Sequence, residues 1–401
     1  MLRVGLTGGI ACGKSHVLRR LRAAGLGTLD LDHVAHDVMA PGGAAYDDVV
    51  RSFGPGILGP DGVIDRRVLG EVVFKDAAAR TRLNALVHPR VREEEGRRAA
   101  ALRAGGATVI VSDAALLVEA GVHLRFDRLV VVHCPPAEQR ERLVQRDGLS
   151  APAAEARVSA QMPIEEKRRF GHFEVDTSGS LADTDRQSDA LAARLAALAA
   201  STPEPLRIAP SRALGSLVHG PAAGPRGLHP SLVLADIVAA GGPEMERLAR
   251  LLSPPAAGPW YRAAASDAPG VGPDALAAPL ALWALARRGR DPDFLAAAAA
   301  STARLTHADR AAIAGAVLYA LALADTLASG RTPPGADAIA EWTTLAARWG
   351  DAPPPAAIVA LVEGRAGSRG PALEGAAEGV DPAAASPELR GLVLALAPPA
   401  A

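Results

Sequence analysis

Cysteine is almost missing from this chain, which holds two in 401 residues, Cys12 and Cys134. Two thiols exclude a disulfide framework, and a place inside a glycine-rich turn makes Cys12 a poor anchor for a bridge, so a reducing compartment fits best. An excess of one charge sign is missing too. A net charge of −1 gives no field for polyanions, and nucleic acid is not an expected partner. No leader separates Met1 from the first strand-like segment, and the apolar stretches of the second half are broken by Arg, Asp or Pro before they reach spanning length. Secretion and membrane insertion are therefore not expected, and a cytoplasmic location is. Lysine is scarce as well: of 43 basic residues only Lys14, Lys75 and Lys167 are lysine. A chain that otherwise chooses arginine keeps a lysine at position 14.

Lys14 stands in "GLTGGIACGKSHV", residues 5–17, where Gly8 and Gly13 are followed by Lys14 and Ser15. This fits G-x-x-x-x-G-K-[ST], with the apolar "LRVGL" before it and a helical pattern after it. Glycines let backbone N–H groups close around phosphate oxygens, and the following helix N-terminus adds partial positive charge. The backbone of Gly8, Gly9, Ala11, Cys12 and Gly13, with Lys14, Ser15 and His16, is expected to hold the phosphates of ATP. Lys14 would reach the outer phosphates, and Ser15 would ligate Mg²⁺.

Apolar runs at 2–7, 26–32, 107–113, 128–134 and 173–179 alternate with amphipathic helical patterns, which implies an α/β fold with a five-stranded parallel sheet covered by helices. Near residue 200 Pro, Gly and Ser accumulate. The expected organisation is an α/β domain over 1–200, a linker over 201–228 and an Ala-rich helical domain over 229–401. Asp32 falls at the carboxyl end of the second run, where parallel sheets meet their ligands, and Asp30 shares its strand face. Either serves as Mg²⁺ orienter, proton acceptor or helix cap. Asp113 ends the third run and is a second candidate for Mg²⁺. Gln139, Arg142 and Arg146 recur at i, i+3 and i+7 on a helix opened by Pro135 and Pro136, so they share a face. Arg142 and Arg146 suit a triphosphate; pairing with Glu138 and Glu141 is the alternative. Gly148 breaks that helix and Ser150 caps the next, a plausible hinge for a helical lid that carries Arg157 and Gln161.

These segments resemble the dephospho-coenzyme A kinase family. "VGLTGGIACGKS", "LDLDHVAHDVMAPGG", "FGPGILGPDGVIDRRVLGEVVF", "LNALVHPRV", "SDAALLVEAG" and "EQRERLVQRDGLSAPAAEARVSAQM" follow in the family's order over residues 1 to about 195. The resemblance implies a P-loop kinase that passes the ATP γ-phosphoryl group to the ribose 3′-hydroxyl of dephospho-CoA, the last step of coenzyme A synthesis. It makes Asp32 the general base and puts Arg66, His88 and Glu119 in or near the acceptor pocket. Taken alone, the phosphate loop and arginines also fit a nucleoside or nucleotide kinase, or a module that senses ATP or CoA. The chain departs from the family at Ala115 (usually Pro), at Gly171-His172 (usually Ala-Asp), at Thr177 (usually Asn) and at His16 (usually Thr). The second half is similar in pattern to the ADP-ribosylglycohydrolases, an all-helical family that needs clustered acids for paired Mg²⁺ ions. Here Thr306, His307 and Asp309 stand without such a cluster. This implies a degenerate, non-catalytic region that binds a protein partner or packs on the kinase.

Overall fold

The computed structural model describes residues 1–201, 284, 291–304, 309–329 and 334–365. Its sheet has five strands: β1 (Leu2–Gly8), β2 (Gly27–Asp30), β3 (Val109–Asp113), β4 (Arg128–His133) and β5 (Phe173–Asp176), in the order β2-β3-β1-β4-β5. The sheet is parallel with helices around it, as the sequence implies. All of β3 and β4 is buried, which explains their unbroken apolar runs. Register decides what the sheet presents. Leu6 of β1 lies opposite Asp113 of β3, and Asp30 of β2 lies opposite the same Asp113. Asp30 and Asp113, the last residues of β2 and β3, are thereby brought level with Leu6, two residues before β1 ends at Gly8.

The expected second strand is shorter than its apolar run. It stops at Asp30, whose carboxylate accepts from the His33 N–H at 3.0 Å and so starts α2 (Leu31–Val38). Asp32 is a first-turn helix residue rather than a strand residue. Further on, α5 (Ala77–Ala104) runs through Pro89 without stopping, so His88 is an exposed mid-helix residue and does not end the helix.

The described residues form two compact units. The first comprises Met1–Ala115, Val132–Gly148 and Val175–Ala200; the second comprises Leu116–Val131, Leu149–Glu174 and the residues from Ser201 onward. Most of the expected linker, 202–228, lies outside the described residues, as do Thr306 and His307. Asp309 caps a helix through the Ala311 N–H at 3.0 Å.

In the second unit α10 (Pro292–Ala303), α11 (Arg310–Ser329), α12 (Ala336–Gly350) and α13 (Ala356–Val362) pack together. The first two are apolar nearly all round and nearly all buried, the usual pairing of pattern and environment. By length and composition α11 is apolar enough to cross a membrane, so the expectation that no stretch reaches spanning length does not hold; most of it is buried in the protein. Helices α11 and α12 touch closely, since a Cβ at Gly350 would lie 2.7 Å from the Ala314 backbone nitrogen.

These helices also hold the segments 116–131 and 149–174 of their own unit. Arg128 reaches both carboxylate oxygens of Asp291 at 2.9 and 3.0 Å, and the two side chains are only 6% and 7% exposed. His123 bonds to Ser301 at 3.2 Å, and the Arg304 guanidinium stacks on Phe170 at 4.9 Å. His172 is wedged between β4 and α12. Its Nδ1 accepts from the Leu129 N–H at 3.0 Å, its carbonyl accepts from Arg348 at 3.1 Å, and its ring meets the edge of Trp349 at 5.1 Å. A Cβ at Gly171 would lie 2.9 Å from the Val131 side chain. The departure at Gly171-His172 thus has a local reason: both residues are shaped by packing within this unit.

Candidate functional site

The turn after β1 is built by backbone conformations that few residues adopt. Gly13, the residue before α1 (Lys14–Ala23), has φ 76°, and Ala11 has φ 60°. Gly8 admits no side chain, because a Cβ there would sit 2.3 Å from the Val132 carbonyl oxygen. The loop is buttressed from below. Gln139 of α6 (Pro136–Asp147) is buried against Gly9 and donates its amide to the Cys134 carbonyl at 3.2 Å. The Thr177 hydroxyl lies 2.9 Å from the Cys12 carbonyl and 3.1 Å from that of His133.

Arg142 completes the buttress. It donates to the Thr177 carbonyl at 2.6 Å, to the Thr177 hydroxyl at 3.2 Å and to the Ala11 carbonyl at 3.4 Å, and it pairs with Glu138 at 2.9 Å. Most of its donors are therefore committed to the loop. Arg146, one turn later on the same helix, is 61% exposed and pairs with its neighbour Asp147 at 2.7 Å. The shared helix face is present, yet its members divide: Gln139 and Arg142 hold the loop, while Arg146 stands at the surface. His16 is drawn away from the loop mouth by Asp185 at 2.7 Å. Ser15 lies exposed on the first turn of α1.

At the carboxyl ends of the strands, the Lys14 ammonium meets Asp113 at 2.5 Å. Burial nonetheless pushes the Asp113 carboxyl up to about 6, with the charges of Asp30 and Asp32 adding and Lys14 opposing. Asp32 keeps accessible surface, but the protein packed beside it raises its carboxyl too; Asp30 adds to this, and Lys14 and Arg66 pull the other way. Three acids and one lysine thus share one field, with Arg66 at its edge. A basic carboxylate next to a cationic phosphate cradle is suited to taking a hydroxyl proton during phosphoryl transfer.

Arg66 opens α4 (Arg66–Lys75), which Asp65 caps. It also lines a largely apolar cleft of about 180 Å³ with His36, Met39, Ile64, Leu69 and Leu83. His88 is not among the lining residues. Glu119 belongs to the second unit and is buried. Its Oε1 holds the Lys167 ammonium at 2.7 Å and accepts the Met162 N–H at 3.3 Å, while Oε2 has no hydrogen-bond partner. Lys167 is fully buried, and the rarity of lysine that singles out Lys14 singles it out equally. The buttressing by Gln139 and Thr177 has no comparable sequence signal, because it joins residues far apart along the chain.

Gly148 has φ 65° and ends α6, and Ser150 caps α7 (Ala151–Ser159) through the Ala153 N–H at 3.4 Å. The expected helix break is present, and a unit boundary falls at it. Among the described residues no group of three His, Cys, Asp or Glu side chains is set to hold a metal ion by itself.

The family described as Dephospho-CoA kinase matches residues 2–183. A dephospho-CoA kinase of Geobacter sulfurreducens is 44% identical over 191 residues, which span 48% of this chain and 97% of the relative. A dephospho-CoA kinase domain-containing protein of Danio rerio is 43% identical over 188 residues, 47% of this chain and 82% of the relative. Among solved structures, a Thermus thermophilus protein is 34% identical with a TM-score of 0.44, covering 48% of this chain and 97% of its own. The Campylobacter jejuni dephospho-CoA kinase is 27% identical with a TM-score of 0.38, covering 47% and 94%. With a relative at 44% identity covered almost end to end, this chain belongs to the dephospho-CoA kinase family.

Proposed function

We infer that this chain uses ATP to phosphorylate the ribose 3′-hydroxyl of dephospho-CoA, giving coenzyme A and ADP, and that Lys14, Asp32 and Arg146 carry the transfer. The reading of the residues rests on one observation above others: the strand register brings the phosphate loop, Asp32 and Asp113 to one end of the sheet. The loop N–H groups and Lys14 bind and orient the β- and γ-phosphates. Asp32 accepts the acceptor's hydroxyl proton, and its raised basicity suits that task. Arg142 is a positioning residue that fixes the loop from below, whereas the exposed Arg146 supplies mobile positive charge for the transferring group. Arg66 and the adjoining cleft receive the acceptor.

Mg²⁺ fits the donor set. Ser15 and Asp113 offer hard oxygen ligands, and the Asp113 carboxylate already draws a cation, the Lys14 ammonium, to 2.5 Å. Bound with ATP there, the ion would neutralise charge on the phosphate oxygens. The described C-terminal helices serve as a packing element for the segments they hold in their unit.

The test is Asp32→Asn, assayed with ATP and dephospho-CoA and with a nucleoside panel for the wild type. Asp30, not Asp32, caps α2, so the substitution keeps the cap and costs at most about 1 kcal/mol of helix-dipole interaction. The expected result is a fall in kcat of roughly 10²–10⁴-fold with little change in either KM. An unchanged kcat removes Asp32 from the mechanism. Faster turnover of a nucleoside than of dephospho-CoA overturns the acceptor.

A further inference from the structure

The chain's two cysteines are 122 positions apart, yet their sulfurs lie 3.5 Å from each other beneath the phosphate loop. The sequence makes Cys12 a poor place for a bridge, and the fold supplies a partner all the same. β1 and β4 are neighbours in the sheet, so the loop that follows one comes to rest on the residue that follows the other. Nothing else in the proposed mechanism uses either thiol.

We propose that Cys12 and Cys134 form a reversible disulfide that switches the kinase off under oxidation. The geometry favours one order of events. The Arg142 guanidinium, 33% exposed, donates to the Cys134 sulfur at 3.5 Å, and the Cys12 sulfur lies 3.5 Å from the same atom. Both contacts hold the Cys134 thiolate, which agrees with the lowered basicity of Cys134 and the raised basicity of Cys12. Both cysteines are buried, and the oxidant is hydrogen peroxide, a reagent little larger than water. The Cys134 thiolate attacks one peroxide oxygen, the O–O bond breaks and hydroxide leaves, giving Cys134 sulfenic acid. The Cys12 sulfur then attacks the sulfenic sulfur, its proton departs with the hydroxyl as water, and the S–S bond forms. Two thiols and one peroxide become one disulfide and two waters, with sulfur oxidised and peroxide oxygen reduced. A dithiol returns the pair to thiols by exchange.

The cost to activity follows from position. Closing 3.5 Å to the bonded distance of about 2 Å shifts the sulfurs toward one another. Cys12 is next to Gly13 and Lys14, its carbonyl is held by Thr177, and Arg142 grips the Ala11 carbonyl. The bond therefore displaces the cradle of backbone N–H groups that orients ATP, and misplacements near 1 Å cost about 10²-fold.

The full-length protein is treated with hydrogen peroxide and then divided for free-thiol titration, non-reducing peptide mapping and steady-state turnover. The expected results are loss of both thiols, a cross-linked pair of peptides containing Cys12 and Cys134 lighter by two hydrogens, and turnover reduced at least about tenfold. Dithiothreitol should restore all three. Cys134→Ser, compared with its own untreated activity, should lose this sensitivity. The proposal is overturned if no cross-linked pair forms, if it forms with turnover unchanged, or if Cys134→Ser is inactivated to the same extent. Thiol titration of the wild type decides the chemistry even where the variant folds poorly.

Discussion

Removing the Asp291 carboxylate should strongly destabilise the protein. Asp291 does two things at once: its carboxylate neutralises the buried guanidinium of Arg128 on β4, and it caps α10 by accepting the Phe294 N–H at 3.1 Å. Removing one partner of a buried ion pair leaves an uncompensated charge and costs about 3–5 kcal/mol, and losing an N-cap costs about 1 kcal/mol more. Asp291→Ala should therefore lose about 4–6 kcal/mol, lowering the melting midpoint by roughly 10 °C or more for a unit of this size. Asp291→Asn retains a good cap and should lose about 1 kcal/mol less. Replacing the pair together, Arg128→Met with Asp291→Leu, removes the buried charge and should recover most of the loss. The measurements are thermal melts and urea titrations of the four proteins. If Asp291→Ala melts within about 1 °C of the wild type, or if the double variant is no better than the single one, the pair does not join β4 to α10 as the geometry indicates.

Lys14→Ala should lower kcat by about a hundredfold or more in a protein that still folds, though with a lower melting midpoint because Asp113 loses its buried partner; a folded variant of near-normal activity would refute the assignment. A chain ending at residue 200 uncovers His123, Phe170 and His172 from the helices that now pack on them. It should keep turnover within a few-fold but melt lower and bind a hydrophobic dye more strongly, whereas an unchanged melt would mean that those helices contribute no stability.

Much of this architecture was legible because it is local. The phosphate loop, the helix opened by Pro135 and Pro136, the break at Gly148 and the cap at Ser150 each depend on a few adjacent residues. All five strands showed as apolar runs for the same reason. What stayed hidden depends on contacts between distant positions. Asp30 and Asp32 are equivalent on an extended strand, and only the early start of α2 makes one a cap and leaves the other for chemistry. Arg142 and Arg146 look interchangeable on a helical wheel, and only the carbonyls of Ala11 and Thr177 separate them. The boundary near residue 200 reads as a domain division, but the fold groups 116–131 and 149–174 with the described helices beyond it through buried polar contacts. Composition shifts mark changes of local character and say nothing about which surfaces are buried together.

The acids around Lys14 also fix how the protein should respond to pH. Asp113 is pushed up to about 6, chiefly by burial, from an ordinary value of 3.8. Between those values the folded state keeps a proton that the unfolded chain has released, so stability should fall as pH rises from about 4 to 6 and level off above. Carboxylates such as Glu94, held down to about 2 by Arg97 and Arg98, act in the opposite sense, adding stability that is lost only as pH falls below about 4. The Asp113 contribution is isolated by comparing wild type with Asp113→Asn: the difference in melting midpoint between the two should change across pH 4–6 and be flat from 6 to 8. Activity should follow the same proton. As Asp113 takes it up, the site loses the carboxylate that balances Lys14 and would hold Mg²⁺, so kcat/KM for ATP should fall about tenfold per unit below pH 6. A kcat/KM that stays level to pH 5 in a fully folded protein, together with a midpoint difference that does not vary with pH, would show that Asp113 is ionised throughout and that Lys14 outweighs burial.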